Sequence, residues 1–337
     1  MSEYHFTPDT LGAYLAERGL VNDPAALSIQ ELGGGVSNLV SLVEGPGIRW
    51  VVKQSLGKLR VKDDWKSQRT RIFREAGAIQ SLGSILDGAV PQVVHVDQAN
   101  FLYVMSAAPG CSVVWKELLL KGQVSMEVAE TAGRLLAAMI LASQQEPSFK
   151  EQFADRTVFD ELRIDPYYRM TAMRHPEARE ALEQLIEDSW KIKTSLVHGD
   201  YSPKNMLVQG GSIFLIDFEV VHWGDPAFDS AFLVNHLMLK AFHQPRFAEL
   251  YFQAARTFWQ ALNCGLKDAR TLNFEAMTVR HLGGLMLARM DGKSPVEYIR
   301  DEGVKARVRL TAKRLLAERP GLFDGTLEMV AQNAVEA

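Results

Sequence analysis

Cysteine is nearly absent. The 337 residues contain two, Cys111 and Cys264, too distant from each other for a metal-binding spacing and too few for a disulfide framework. That pattern belongs to a reducing compartment. Long apolar runs are also missing. The greasiest stretch, LLAAMILA at 135–142, falls well short of the roughly 20 residues a bilayer-spanning helix needs. Basic charge is not in excess: the formal net charge is -4. A dedicated nucleic-acid binder needs a basic surface to meet phosphates, so the charge argues against that class while leaving room for a small local cation site. The first residues, MSEYHFTPDT, lack the basic start and apolar stretch of a secretory leader. No internal repeat or low-complexity segment interrupts the chain. The expectation is a soluble cytoplasmic protein with no nucleic-acid and no membrane partner. Nothing in the sequence sets its oligomeric state.

What the sequence does contain changes texture about a third of the way along. A chain of this length suits two domains. After a short helix at 7–18, three strands are predicted at 27–32, 38–45 and 48–54, separated by Gly33–Gly35 and Gly45–Pro46–Gly47. Ile72, Ala76, Ile79 and Leu82 recur at helical spacing and predict a helix ending near Gly83. Residues 90–105 read as two more strands with a turn at Ala99–Asn100. Beyond Pro109–Gly110 helical patterns dominate, at 125–144, 176–191, 227–242, 246–263, 269–289 and 294–317. One β-rich interruption spans 196–217. The fold class is therefore α+β: an N-terminal lobe over 1–108 with a small antiparallel sheet, and a mostly helical lobe over 109–337, with a hinge near Ser106–Gly110.

The interruption carries the chemistry. LVHGDYSPKNML crowds His198, Asp200, Lys204 and Asn205 between apolar edges, and SIFLIDFE follows, ending a buried-looking strand on Asp217. The intervening VQGGS suits a hairpin turn. NMLV and SIFLI should then pair antiparallel, bringing Asn205 and Asp217 to one end of the hairpin. Carboxylate and amide oxygens converging there are what a hard divalent cation wants, most often Mg2+ when phosphate supplies the other oxygens. Singly, an Asp or Asn at such a place is commonly a turn former; the set Asp200–x4–Asn205 with Asp217 is much harder to read as turns alone.

Earlier in the chain, Lys53 sits inside the apolar strand IRWVVKQ. A buried ammonium needs a partner, and Glu75 on the next helix offers one. Such a pair can present charge to nucleotide phosphates; the plainer alternative is a lysine pointing outward from an edge strand. Gly33, Gly34, Gly35, Val36 and Ser37 form a flexible turn whose amides can face a phosphate, although glycine-rich hairpins without ligands are common. It is not a Walker loop, because no Gly-Lys-Ser/Thr follows.

In combination, HGDYSPKN, IDFE, Lys53, Glu75 and the glycine turn resemble the aminoglycoside phosphotransferase and choline kinase group, small-molecule kinases with a two-lobed, protein-kinase-like fold. The likeness covers roughly 28 to 320. The N-terminal lobe is similar to that of methylthioribose kinases, whereas HGDYSPKN departs from their HGDLHTGS-like loop and agrees with the aminoglycoside and choline kinase pattern. The resemblance implies that Asp200 is the catalytic aspartate, accepting or orienting the proton of a substrate hydroxyl. It implies that Asn205 and Asp217 hold Mg2+, that Lys53 contacts the phosphates of ATP (GTP is not excluded), and that Glu75 orients Lys53. Gly33 to Ser37 would cover those phosphates. Met105, Ser106 and Ala108 would form the hinge that meets the adenine edge. Lys204 is a candidate for contact with the γ-phosphate. His198 is expected to brace its loop, and Asp225 and Asp229 to tie that loop to the helical core.

The implied activity is transfer of a γ-phosphate to a hydroxyl of a small molecule: a sugar, a methylthioribose-like compound, an amino alcohol or an aminoglycoside. The alternative is a regulatory pseudokinase that binds nucleotide without turnover. A protein kinase is disfavoured by the absence of an HRD loop. Charges over 151–190 are interleaved almost evenly and read as an ordinary amphipathic surface. Arg280, Arg289 and Asp291, near a break in helical pattern, are expected to border the acceptor pocket, with Gly283 and Gly284 allowing close helix approach. Trp223 reads as a packing residue. The basic residues from Lys58 to Arg74 read as a solvated face, or else as an attractor for an anionic nucleotide or substrate.

Overall fold

The computed structural model describes residues 5–33, 38–57, 68–86, 88–269 and 273–334. Four members of the glycine turn, Gly34 to Ser37, and Lys58, Arg60, Lys62 and Lys66 of the basic run lie outside those residues. The chain divides into two compact units at Gly110. The elements of the first are α1 (Pro8–Glu17), β1 (Ser28–Glu31), β2 (Asn38–Gly45), β3 (Ile48–Ser55), α2 (Arg71–Gly83), β4 (Val93–Asp97) and β5 (Leu102–Ser106). The strands form one antiparallel sheet in the order β1-β2-β3-β5-β4. Alternating side chains Val43, Val52, Leu102 and Val104 pack on Leu11, Tyr14 and Leu15 of α1. α2 buries Ile72, Ala76, Ile79 and Leu82, the stripe its spacing predicts.

Every strand and helix predicted for this unit is present within a few residues. β3 lies between β2 and β5, with Lys53 opposite Val40 on one side and Tyr103 on the other. It is therefore a central strand, which disposes of an outward-pointing lysine on a sheet edge.

The second unit begins with β6 (Val113–Val114), α3 (Trp115–Leu120), α4 (Met126–Gln145) and α5 (Pro147–Gln152). α6 (Thr157–Phe159) runs into a π-helical segment, Asp160–Arg169, followed by α7 (Met170–Arg174) and α8 (Arg179–Lys191). Then come β7 (Ser195–Val197), β8 (Met206–Gln209), β9 (Ser212–Leu215) and β10 (His222–Gly224). The helices α9 (Ala227–His243), α10 (Ala248–Leu266), α11 (Phe274–Asp291), α12 (Glu302–Glu318) and α13 (Phe323–Ala334) complete it. β6, β8 and β9 form one small antiparallel sheet, and β7 pairs with β10.

α9 is buried around its whole circumference from Ala227 to Phe242, as a helix through the centre of a domain must be. α4 meets α10 at Gly133, where a Cβ would lie 2.4 Å from the Phe258 carbonyl oxygen. Gly283 and Gly284 serve as expected: a Cβ on Gly283 would reach Leu315 of α12 at 3.0 Å, and one on Gly284 would reach Tyr168 at 3.0 Å.

Two differences from the sequence reading have physical causes. The helix predicted over 294–317 begins only at Glu302, because Pro295 interrupts the pattern and Asp301 caps the later start, accepting from Val304 N at 2.8 Å. Residues 153–174 gave no helical pattern, because Pro166 sits inside a π-helical stretch whose period is not 3.6. No helix among the described residues is long and apolar enough to cross a membrane.

Candidate active site

β8 and β9 pair as a hairpin with Met206 opposite Leu215, and Ile216 N donates to Asn205 O at 3.0 Å just beyond. Asn205 and Asp217 therefore leave the hairpin at the same end, as the glycine turn between the strands predicts. Asp217 takes φ +71°, a left-handed conformation that costs a non-glycine residue energy and that surrounding structure must enforce.

The loop 198–205 is held from below. Asp229, at the start of α9, accepts from His198 N at 2.6 Å and Gly199 N at 2.9 Å. Gly199 has φ +76°, and a Cβ there would press within 2.8 Å of Val220; only glycine fits. The His198 imidazole accepts from Asp200 N at 3.2 Å and faces Ile216 O at 3.1 Å. Burial pushes its pKa down to about 4, against the upward pull of Asp200 and Asp217. It is a neutral brace. Asp225 instead reaches His281 Nε2 at 3.2 Å and caps Ala227 N.

Asp200 is 3% exposed, so its charge needs compensation. One oxygen, Oδ2, lies 2.9 Å from Arg163 Nη2 and 2.8 Å from Lys204 Nζ. The other, Oδ1, accepts from Ser202 Oγ at 3.2 Å. Burial pushes the carboxyl up, but Lys204 and Arg163 outweigh it and hold it well below the usual carboxylate range. Arg163 also donates to Gly199 O at 2.6 Å and Leu162 O at 2.7 Å. Asn205 Nδ2 donates to Asp200 O at 3.0 Å, which turns the amide against the same loop.

Among the described residues no three His, Cys, Asp or Glu side chains gather as an all-protein metal cage. The Asn205 amide and the Asp217 carboxylate offer two hard oxygen donors at the same end of the β8–β9 hairpin. That set fits Mg2+, which takes one or two protein oxygens and leaves its other positions to phosphate and water.

In the first unit, Lys53 Nζ lies 2.8 Å from Glu75 Oε1, both side chains buried. Gly33 has open space around it. The residues expected to form the hinge are tied into the first unit. Ser106 N donates to Gln92 O at 2.8 Å, Ala107 N to Arg49 O at 2.9 Å, and Arg49 Nη1 to Ala108 O. Met105 is buried in β5.

Residues 28–263 match the family model for the phosphotransferase enzyme family, abbreviated APH. The chain belongs to that family. It is 26% identical over 275 residues to a methylthioribose kinase of Escherichia coli O45:K1 (strain S88 / ExPEC), covering 71% of this chain and 65% of that protein. It is 26% identical over 252 residues to methylthioribose kinase 2 of Oryza sativa subsp. japonica, covering 66% and 59%. The chain thus matches less than two thirds of the length of either relative. In fold, an amicoumacin kinase solved with AMP-PNP, Ca2+ and its ligand is similar, with a TM-score of 0.55 at 15% identity over 94% of this chain and 98% of that one. An antiparallel N-terminal sheet followed by a helical remainder is the arrangement of protein-kinase-like phosphotransferases.

Against this family frame, one residue escaped the sequence reading. Arg163 stands 37 positions before Asp200, in a stretch whose charges alternate without pattern, and nothing local marks it. Of the three residues expected to border an acceptor pocket, two are held in ion pairs. Arg309 grips the Asp291 carboxylate at 2.7 and 2.8 Å and His175 lies 2.9 Å from it. Arg280 is likewise engaged, 2.9 Å from Asp188. Arg289 differs: among the described residues its guanidinium bonds only to Tyr167 Oη, at 3.1 Å, and to Ser294. Trp223 packs, as expected, with its indole donating to Lys193 O at 2.9 Å.

Proposed function

We propose that this chain moves the γ-phosphoryl group of ATP to a hydroxyl of a small molecule. The observation that carries the reading is Asp200: a buried carboxylate kept ionised by two cations, on a loop that also supplies Asn205 and adjoins Asp217. A structural ion pair has no need of two cations on one carboxylate oxygen beside two further oxygen donors.

Phosphoryl transfer passes through a loose transition state and asks the protein mainly for position and charge compensation. Asp200 suits that demand. Clamped between Arg163 and Lys204, it is a weak base, so its work is to hold the acceptor hydroxyl in line and to receive its proton late, as the new bond forms. Lys53, oriented by Glu75, would supply positive charge to the nucleotide phosphates, with Gly33 to Ser37 covering them and Met105 to Ala108 along the adenine. Lys204 would share its charge between Asp200 and the transferred group. Mg2+ held by Asn205 and Asp217 would neutralise the triphosphate. GTP stands as an alternative donor, and the cytoplasm is the compartment where such a donor is abundant. The curated relatives favour a sugar-like acceptor.

The test is ATP consumption over a panel of sugars, amino alcohols, nucleoside fragments and aminoglycosides. Turnover should appear with at least one class and fall by about 10²–10⁴-fold in Asp200→Asn. MgATP binding without turnover on any member would point instead to a regulatory nucleotide binder.

A further inference from the structure

Near Asp200 the second unit carries two buried polar groups that the proposed reaction does not use, His236 of α9 and Tyr167 of the π-helical segment. Arg163, which holds Asp200 at 2.9 Å, lies 5.8 Å from the Tyr167 ring and 5.7 Å from that of Phe232. Phe232 in turn packs 6.1 Å from the Tyr167 ring and 5.4 Å from the His236 imidazole, one turn further along α9. The charges of Asp200 and Lys204 reach both Tyr167 and His236. These side chains therefore share one neighbourhood with the Asp200 carboxylate.

Both groups have bonding capacity left over. His236 is 8% exposed. Its ring nitrogens bond to nothing among the described residues, and they are not sealed, as both polar atoms of the adjacent Asn235 amide are. A polar ring so deeply buried is costly unless something bonds to it. Tyr167 Oη accepts from Arg289 Nη1 at 3.1 Å, while its own proton has no acceptor among the described residues.

Chemistry narrows the ligand. Burial, with Lys240 and Arg289, holds the His236 imidazole well below its ordinary pKa. It is neutral and offers one N–H and one bare nitrogen, and the Tyr167 phenol adds an O–H. Hydroxyls, each donor and acceptor at once, complement such a set; an ammonium can only donate and a carboxylate can only accept. Charge points the same way for the ammonium. The cations Lys240, Arg289 and Lys204 act on His236 against Asp200, whose Oδ2 is already held by two cations. A further positive charge brought there is repelled.

We propose that His236 and Tyr167 hydrogen-bond the non-reacting hydroxyls of an uncharged, polyhydroxylated acceptor whose reacting hydroxyl meets Asp200. This deepens the phosphotransfer reading and rests on it. It makes the two residues determinants of acceptor specificity and sets the acceptor apart from amino alcohols and aminoglycosides.

Calorimetry on the full chain loaded with Mg2+ and AMP-PNP tests the assignment with ribose, its 2-, 3- and 5-deoxy forms, choline and kanamycin. Ribose should bind more tightly than choline or kanamycin. His236→Phe and Tyr167→Phe keep a ring and lose the polar atoms. Each should weaken ribose by about 3–10-fold, the net worth of one hydrogen bond, and His236→Gln should restore part of the loss. The loss in each variant should vanish for one deoxy form, the one lacking the hydroxyl concerned; damage to packing alone weakens every form alike. Equal losses on all forms in both variants, choline or kanamycin binding as tightly as ribose, or no measurable binding of ribose overturns the assignment. Tyr167→Phe removes a single oxygen, so it keeps the test open if His236→Phe melts early. ATP consumption on the wider acceptor panel, with Asp200→Asn as the blank, separates the two readings. Ribose bound in the expected pattern with no turnover anywhere sinks the phosphotransfer reading instead, and turnover with uniform losses sinks only this one.

Discussion

At the scale of single residues, Asp200 is governed by an opposition between burial and charge. Removing one cation lets burial gain. In Arg163→Met the carboxyl should titrate at higher pH than in the parent, so the acid limb of the kcat/KM profile should move toward neutrality. An unmoved limb would mean that Lys204 alone sets the charge of Asp200. His198 makes a prediction of stability. Its folded pKa of about 4 lies below the ordinary imidazole value of 6.5. Between those values the unfolded chain binds more protons, so this group's contribution is fully present above pH 6.5 and is lost as pH falls towards 4. Asp229, pushed up to about 7 by burial, acts with the opposite sign, so the parent slope mixes both. The difference between parent and His198→Gln in urea titrations across that window isolates His198; the variant should lose less stability on acidification. Asp200, Asn205 and Asp217 were legible in sequence because they lie on one short loop and a hairpin whose turn fixes their side. Arg163 was not, because its meeting with Asp200 depends on the path of a π-helical stretch.

At the scale of elements, the helices that were legible are those with one apolar stripe or a continuous apolar run, such as α2 and α9. Those that were not are short, like α3 and α5, or broken by proline. β10, three residues long, is defined by its pairing with β7 rather than by its own pattern. Close helix packing adds a constraint that propensity opposes. An alanine at Gly133 would gain about 1 kcal/mol of helix propensity. Its methyl would also sit 2.4 Å from the Phe258 carbonyl and 2.8 Å from Ala261. Overpacking of that kind costs roughly 1–3 kcal/mol, and a backbone carbonyl yields less readily than a side chain, so the clash wins. Gly133→Ala should lower the urea midpoint with little change in m-value; an unchanged or higher midpoint would show that α4 and α10 can separate at small cost.

At the scale of the whole molecule, the change of texture near Gly110 was visible in composition alone: alternating strand signals give way to helical ones. What composition does not report is whether residues of both units serve one ligand. The proposed reaction requires it, since Lys53 belongs to the first unit and Asp217 to the second. A double-mutant cycle on MgATP affinity decides the matter. If Lys53→Met and Asp217→Asn remove contacts to one metal-bound triphosphate, their effects should not add. The coupling should reach about 0.5–3 kcal/mol, the range for residues acting on a shared partner, whereas independent sites add to within roughly 0.3–0.5 kcal/mol. Binding is read without acceptor, so the result does not depend on knowing the substrate. Mg2+ dependence sharpens it: the loss in Asp217→Asn should be partly recovered at high Mg2+, while the loss in Lys53→Met should not, because a lysine contributes charge to phosphate and no metal ligand. Additive effects, or equal recovery of both variants by Mg2+, would separate the two residues and remove Lys53 from the proposed chemistry.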